Sequence, residues 1–250
     1  MRRATKQPGL PASQLLKYYS VLRSRFGPQQ WWPARTRLEV ILGAILTQNA
    51  TWHNAILGLR NLRKAGLLSW PGLRRASLSD LEGCVRPSGF YRQKARTIRD
   101  FVDWLWRQHS GSLGRLFSLP VAELRRQLLD LRGLGPETVD AVILYAAQRP
   151  VFVADAYTRR LLARHGFLSG AAGYDQAQEF LHEHLPLNAS LFNEFHALLV
   201  EVGKKHCKRQ LPRCTCCPLE KFLPDRRTAT RVTRGEGPAA GASSQELQLA

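Results

Sequence analysis

The chain has 250 residues, of which 44% are hydrophobic, and it carries a formal net charge of +18. This composition excludes a wholly disordered chain, and no apolar run reaches the roughly 18 residues that a membrane span needs. A protein this basic typically binds a polyanion, with nucleic acid as the first candidate; the alternative, charge for solubility alone, would be better served by acidic residues.

Apolar residues recur at helical spacing along most of the chain, and no segment shows a strand pattern, so we predict an all-α fold. In chain order, the predicted helices cover residues 13–26, 38–46, 91–109, 121–131, 136–148, 156–165, 174–184 and 190–205. A capping box is expected at Ser79-Asp80-Leu81-Glu82. We expect residues 1–12 and 226–250, which lack apolar periodicity, to be disordered. The basic start is not followed by an apolar stretch, so a cytoplasmic protein is expected.

Two glycines separated by one residue, Gly133 and Gly135, join the predicted helices 121–131 and 136–148, with Leu134 between them. Glycine lets another backbone approach closely, and the amides that follow would open the next helix, where a phosphate is favoured. The segment is therefore a candidate phosphate-binding hairpin. A tight turn between two helices is the structural alternative.

A second feature lies some 20 residues further on, where an apolar run from Val151 to Ala154 leads to Asp155 at the start of a predicted helix. An ordinary helix N-cap is one interpretation of this carboxylate. The other is catalytic, because a carboxylate beside a DNA-binding hairpin could stabilise an oxocarbenium-like sugar or activate water as a glycosidic bond breaks.

The hairpin and the aspartate, in this order and at this spacing, resemble the helix-hairpin-helix glycosylases related to endonuclease III. Two more segments fit the resemblance. Residues 45–52 are similar to the loop with which the family inserts a glutamine into the gap left by a flipped base, here Gln48 followed by Asn49. Residues 89–95 are similar to the family's glycine-tyrosine-lysine turn, which adds Lys94 to the predicted DNA-binding residues.

This resemblance covers residues 15–219 and implies an endonuclease III-like architecture of two helical lobes. One lobe would comprise residues 13–34 with 149–224, the other residues 35–148, and Asp155 would face the cleft between them. The implied partner is double-stranded DNA containing a damaged base, bound by a monomer with no membrane contact.

The chemistry within the family depends on the first turn after the hairpin. Bifunctional members carry a lysine there, which attacks the sugar and forms a Schiff base. Here the position holds Glu137, so the resemblance implies a monofunctional glycosylase that leaves an abasic site. Two alternatives stay open: a bifunctional glycosylase/lyase for oxidised pyrimidines that uses Lys94, Lys204 or Lys205, and a non-catalytic protein that binds damaged DNA.

The candidate base pocket consists of Trp31, Trp32 and Pro33 in a predicted loop, together with Trp52 after the Gln48 loop. Large aromatic side chains stack on an extruded base and favour a positively charged one. These residues resemble the 3-methyladenine glycosylase branch of the family, which implies an alkylated purine as the substrate. Packing in a groove between the lobes is the structural alternative.

The cysteines Cys207, Cys214 and Cys217 match the spacing of three ligands of the [4Fe–4S] cluster that endonuclease III-like proteins often hold. The fourth ligand position is Leu223. The resemblance thus points to a [4Fe–4S] cluster that lacks one thiolate. A neighbouring cysteine or histidine as the fourth ligand, a three-iron cluster, zinc and a site without metal are the alternatives.

The loop between the first two of these cysteines contains Lys208 and Arg209. We predict that both contact DNA phosphate, a salt-sensitive interaction. A solvated basic loop with no ligand is the alternative.

Overall fold

The computed structural model describes residues 10–224, and every regular element within that range is helical, which confirms the predicted all-α class. The α-helices are, in chain order, α1 Leu10–Phe26, α2 Arg37–Leu46, α3 Trp52–Lys64, α4 Trp70–Arg75, α5 Leu78–Val85, α6 Tyr91–His109, α7 Leu113–Phe117, α8 Val121–Leu129, α9 Pro136–Ala141, α10 Ala156–Arg164, α11 Tyr174–His184 and α12 Ala189–Lys205. None of the helices within residues 10–224 combines the length and apolarity needed to cross a membrane.

The described residues divide into two compact units. The first unit comprises residues 10–31 with 150–224 and contains α1 and α10 to α12; the second comprises residues 32–149 and contains α2 to α9. Trp32 and Pro33 therefore belong to the second unit, whereas the sequence prediction places residues 13–34 together in the first.

Aromatic packing fixes the segment that leads to Asp155 in the first unit. Phe152 is fully buried, with its ring centroid 5.2 Å from that of Phe192. Its backbone is also held by α11: the Phe152 amide donates to His182 Nε2 at 2.9 Å, and Gln178 Nε2 donates to the Phe152 carbonyl at 2.6 Å. Because both polar groups of this buried, non-helical residue are satisfied, the backbone three residues before the carboxylate has a defined position.

In the second unit, α2 is buried over nearly its whole length, as its continuous apolar sequence predicts. It packs against α3, α6, α9 and the turn that follows α9. The end of α2 thereby fixes where the loop containing Gln48 begins.

The N-terminal boundary differs from the prediction, because α1 begins at Leu10 rather than Ser13. Residues 10–12 are therefore helical and not disordered. Pro11 is compatible with this start, because the amide that proline lacks is not needed in the first turn of a helix. The rest of the predicted disordered start, and the tail 226–250, lie outside the described residues.

The predicted single helix over residues 136–148 is two segments. Helix α9 ends at Ala141, and a π-helical turn runs from Val142 to Ala146, with the Ala147 amide donating to the Val142 carbonyl at 3.1 Å. The five residues of this turn are all buried, so their apolar sequence cannot distinguish a wider turn from an α-helix.

The capping box lies two residues before its predicted position. The Ser77 hydroxyl accepts from the Asp80 amide at 3.1 Å, and Asp80 Oδ2 accepts from the Ser77 amide at 2.9 Å. The serine-to-acid spacing occurs twice in overlapping frames, Ser77–Asp80 and Ser79–Glu82, and the sequence pattern alone does not choose between them.

Candidate active site and nucleic-acid interface

The turn between α8 and α9 contains two glycines, and the fold requires glycine at the first of these positions. Gly133 has φ +88°, in the left-handed region, and a Cβ there would overlap the Thr97 hydroxyl of α6. Gly135 has an ordinary φ of −89°, and a Cβ there would meet no atom within 4 Å. The first glycine is therefore required by the fold, whereas the second leaves open space for an external group.

A buried ion pair joins the two helices of this hairpin. Arg125 Nε and Nη2 donate to the two carboxylate oxygens of Asp140 at 2.8 and 3.1 Å, and Asp140 has no accessible surface. This bidentate geometry fixes α8 relative to α9. Between the two helices, Leu134 is buried and anchors the turn.

The predicted base-gap residue lies directly against the hairpin. Gln48 Nε2 donates to the Gly133 carbonyl at 2.9 Å and to Thr138 Oγ1 at 2.8 Å. The next residue, Asn49, has φ +50°, a left-handed conformation that asparagine tolerates better than most residues. The structure thus brings together two motifs that lie far apart in the sequence.

Lys94, a predicted DNA-binding residue, lies in the interior of the second unit. This side chain is 3% exposed, and its ammonium donates to the Leu46 carbonyl at 2.9 Å and the Ser88 carbonyl at 2.6 Å. Burial lowers the pKa of Lys94 from 10.5 to about 8. Lys94 therefore ties the end of α2 to the turn before α6 from inside the second unit.

An exposed aromatic side chain that sequence reasoning missed lies on the same surface as Gln48. Phe90 is 58% exposed, and its φ of +46° is rare for a bulky residue. It borders a concavity of about 380 Å³, which is lined by Gln48, Asn49, Phe90, Gln93, Arg96, Asp100, Arg132 and Gly133, among others. A large apolar residue directly after Gly89, at the tip of a turn, was the available sequence signal.

The structure brings two of the predicted base-pocket tryptophans together. The rings of Trp32 and Trp52 meet edge to face with centroids 5.1 Å apart, and Trp32 also lies 5.3 Å from the Tyr145 ring. Gly43 makes this possible, because a Cβ there would lie 3.0 Å from Trp32 Cζ2. Pro33 is exposed beside Trp32 in the second unit, whereas Trp31 belongs to the first.

Asp155 is the N-cap of α10, and its two carboxylate oxygens have different partners. Oδ1 accepts from the Thr158 amide at 2.8 Å, and Oδ2 lies 3.4 Å from His196 Nε2 of α12. Burial raises the pKa of Asp155, but hydrogen bonding to His196, the histidine's charge and the Thr158 amide together outweigh it, so the pKa lies below the ordinary 3.8. The capping and catalytic interpretations are therefore compatible, because the cap holds a buried carboxylate in its ionised form.

The residues around the three cysteines do not fit a four-thiolate cluster. Cys207, Cys214 and Cys217 line one cavity of about 20 Å³ in the first unit, but Leu223 lines it where a fourth ligand is expected. Cys216 is exposed, with Sγ 3.5 Å from His206 Nδ1. Within residues 10–224, no group of three or more histidine, cysteine or acidic side chains is arranged to hold a metal ion.

The basic loop after Cys207 contributes to a concave cationic surface of the first unit. This concavity has a volume of about 570 Å³ and is lined by Arg25, Phe26, Lys204, Lys205, His206, Lys208 and Arg213. Lys208 therefore lies among other cations, an arrangement that is suited to phosphate. Arg209 is exposed on the same loop but does not line this surface.

Comparison with known proteins shows the family to which the chain belongs. A family model described as HhH-GPD superfamily base excision DNA repair protein matches residues 42–187, a span that contains Gln48, the hairpin and Asp155. The chain is 36% identical over 210 residues to a protein of Methanocaldococcus jannaschii that is named provisionally as a DNA repair glycosylase; the match covers 83% of this chain and 94% of that protein.

Two solved structures are also similar. A 3-methyladenine DNA glycosylase of H. pylori, solved with bound 1,N6-ethenoadenine, superimposes with a TM-score of 0.68 and 29% identity, covering 76% of this chain and 97% of that one. An endonuclease III trapped covalently on DNA superimposes with a TM-score of 0.74 over 89% of this chain and 99% of that one. At 23% identity, this second likeness shows the shared fold alone.

Proposed function

Because the chain belongs to the HhH-GPD superfamily of base excision DNA repair proteins, we propose that it is a monofunctional DNA glycosylase that removes an alkylated purine from duplex DNA. The observation that carries this proposal is the state of Asp155, a buried carboxylate kept ionised by its neighbours. The second support is Glu137, which stands in the hairpin's first helical turn where a lyase would need an amine.

The proposed reaction breaks the bond between the sugar C1′ and the base, and the base leaves with the bonding electron pair. Positive charge develops on the sugar as this bond lengthens, and the Asp155 carboxylate stabilises it. Water then adds to C1′ and loses a proton, which leaves an abasic site. A carboxylate with a low pKa suits this role, because it stays charged as the sugar becomes cationic.

The substrate assignment rests on the aromatic pair Trp32 and Trp52. Its π-faces are suited to an electron-poor base, because a cationic ring is attracted to an aromatic face. An alkylated purine that carries positive charge also leaves its sugar more readily than an unmodified base, so a single carboxylate suffices. The likeness to the H. pylori 3-methyladenine glycosylase supports the same branch of the family.

We propose that DNA contacts both described units. In the second, the hairpin around Gly135 would receive a backbone phosphate, while Gln48, Asn49 and the exposed Phe90 would face the gap left by the flipped base. In the first unit, the cationic concavity that includes Lys208 would receive phosphate groups through charge alone. The predicted cellular compartment is then the one that holds the chromosomal DNA.

The test is base release from duplexes that carry one alkylated purine, one oxidised pyrimidine or one uracil. Wild type should release the alkylated purine, with strand cleavage only after hot alkali and no product trapped by borohydride. Asp155→Asn should lower this rate by roughly 100-fold or more while it keeps the fold, because asparagine caps helices about as well as aspartate. Asp175→Asn, which changes an exposed acid in the first turn of α11, is the matched control and should leave the rate unchanged.

Two outcomes would contradict the proposal. Strand cleavage without alkali, together with a borohydride-trapped complex on the oxidised pyrimidine, would show a lyase. Binding of damaged duplexes without base release from any of the three substrates would favour a non-catalytic role.

A further inference from the structure

The cysteine segment of the first unit is held by a buried arginine of α10. Arg164 is 6% exposed, and its Nη1 donates to the Lys208 carbonyl at 2.7 Å and to Cys207 Sγ at 3.3 Å. Its Nη2 donates to the Arg209 carbonyl at 2.8 Å. One guanidinium therefore fixes three consecutive residues at the start of the segment.

A second arginine, one helical turn earlier, supports the same backbone. Arg160 Nε donates to the Cys207 carbonyl at 2.8 Å, and its guanidinium lies over the Tyr157 ring. The two donors approach the chain from the same side of α10, because residues four apart share a helix face. The start of the cysteine segment is thus ordered by hydrogen bonds from α10.

The three thiols that share a cavity lack the fourth thiolate that a four-iron cluster would need. All five cysteines of the chain fall within the described residues, and three of them share a cavity with Leu161, Leu219 and Leu223. His165, His206 and Glu220 also line this cavity, but no three of the histidine, cysteine and acidic side chains within residues 10–224 are arranged to hold a metal ion. Cys216, the remaining cysteine of the segment, does not line this cavity, and its thiol contacts His206 Nδ1 and the Arg213 carbonyl instead. A four-iron cluster held by four thiolates lacks its fourth ligand here, and a leucine methyl group cannot supply it.

Burying an arginine is costly unless its donors are satisfied, since the guanidinium keeps its charge at any ordinary pH. Arg164 meets this condition at its two Nη groups through two carbonyls and one sulfur, whereas its buried Nε has no hydrogen-bond partner among the described residues. Removing the guanidinium would leave the Lys208 and Arg209 carbonyls without these donors and would release the start of the segment.

We propose that the segment from Cys207 to Leu223 folds and functions without an iron–sulfur cluster, with Arg164 as the positioning residue that holds it. Cys207, which is buried, and the partly exposed Cys214 and Cys217 then act as packing side chains, and the order of the segment depends on α10 rather than on metal. This inference does not depend on which damaged base the enzyme removes.

The first test is metal content and its effect on stability. The full chain is purified without oxygen, incubated with ferrous iron, sulfide and a thiol reductant, and desalted. Iron and acid-labile sulfide should stay far below four per chain, and the melting temperature should be the same with and without a strong iron chelator. Stoichiometric iron and sulfide, or a melting temperature that the chelator lowers, would overturn the proposal.

The second test ranks variants by the melting temperature of the metal-free protein. Arg164→Met should lower it by roughly 5–10 °C, because buried carbonyls lose their donor, whereas Cys214→Ser and Cys217→Ser should each lower it by only a few degrees. Arg23→Met, an exposed arginine of α1, and Cys84→Ser, a thiol of the second unit, are the controls and should change it little.

If Arg164→Met does not fold, Arg164→Lys gives the same ranking, because lysine keeps the charge but cannot place donors on both carbonyls at once. Limited proteolysis should then cut the segment after Cys207 faster in this variant than in wild type. Cysteine variants that are destabilised as strongly as the arginine variant, or a cutting rate that arginine substitution leaves unchanged, would overturn the positioning role.

Discussion

His196 Nε2 lies 3.4 Å from Asp155 Oδ2, and both side chains are buried in the first unit. The pair joins α12 to the first residue before α10. Burial by itself would favour the neutral acid, so the low pKa of Asp155 depends on the histidine and on the Thr158 amide together. The ionised state of the proposed catalytic group is therefore a tertiary property, set by a residue 41 positions further along the chain.

Replacing His196 with glutamine should raise the pKa of Asp155, because glutamine can donate a hydrogen bond but brings no positive charge. The acid limb of the pH dependence of kcat/KM should therefore move to higher pH. Base release measured from about pH 3 upward on an alkylated duplex, which loses its base slowly without enzyme, gives this limb after subtraction of the uncatalysed rate.

The stability of the protein should follow the same group. A carboxylate whose pKa is lowered by folding adds stability above its unfolded pKa, and this contribution is lost as pH falls through the folded pKa. His196→Gln should therefore lose part of the stability that wild type has above pH 3.8, and the difference should shrink on acidification. His184→Gln, on α11, is the control; an unchanged acid limb in His196→Gln would show that the histidine does not set the charge.

Local periodicity in the sequence is sufficient to predict where a helix begins and ends when the helix has one buried face and one exposed face. Helices α6 and α11 begin and end at the predicted residues, because their apolar stripes and polar faces alternate regularly. Helix α3 is absent from the sequence prediction although Ala55, Leu59 and Leu62 are buried at helical spacing. The sequence prediction interprets that segment through Gln48 and Trp52 alone, so the helical periodicity that follows them is not used.

The positions of individual side chains cannot be derived from a motif. The segment that contains Phe90 and Lys94 is recognisable, but which of the two is exposed depends on how α6 packs against the end of α2. Likewise, Gln48 and Gly133 are 85 residues apart, and their hydrogen bond follows from the packing of α2 against α9 and the turn after it. Such contacts exist only once the helices are placed.

The two hairpin glycines should respond differently to alanine. Gly133→Ala should destabilise the protein by about 1–3 kcal/mol, because the residue is left-handed and its Cβ would overlap the Thr97 hydroxyl. Gly135→Ala should leave the unfolding free energy nearly unchanged and weaken duplex binding, since its Cβ would occupy the space proposed for a phosphate. Urea unfolding and binding of an abasic duplex separate the two effects.

A second variant pair checks the steric cause at Gly133. Thr97→Ala removes the hydroxyl that the new Cβ would overlap, so Gly133→Ala combined with Thr97→Ala should recover part of the lost stability. The recovery should be incomplete because the left-handed backbone remains. Full additivity of the two substitutions would show that the two side chains do not meet.

Trp52 should contribute to the selection of a charged base. Trp52→Leu should lower kcat/KM for a cationic alkylated purine by roughly tenfold, while Trp52→Phe, which keeps a π-face, should lose less. An uncharged purine lesion should be affected less than the cationic one. Trp70→Leu is the control, since Trp70 stacks on Phe101 in the same unit; equal losses on charged and uncharged bases would show that Trp52 acts through packing alone.

The cationic concavity of the first unit should be visible in the salt dependence of binding. Lys204→Gln combined with Lys208→Gln removes two of its lining charges. If each lysine neutralises one phosphate, the slope of log K against log salt should become shallower by about 0.9 for each lysine replaced, and affinity should fall equally for damaged and undamaged duplexes. Lys17→Gln, an exposed lysine of α1 that does not line the concavity, should leave the slope unchanged. A weakening confined to damaged duplexes would place these lysines in lesion recognition instead, and an unchanged slope would remove this surface from the DNA interface.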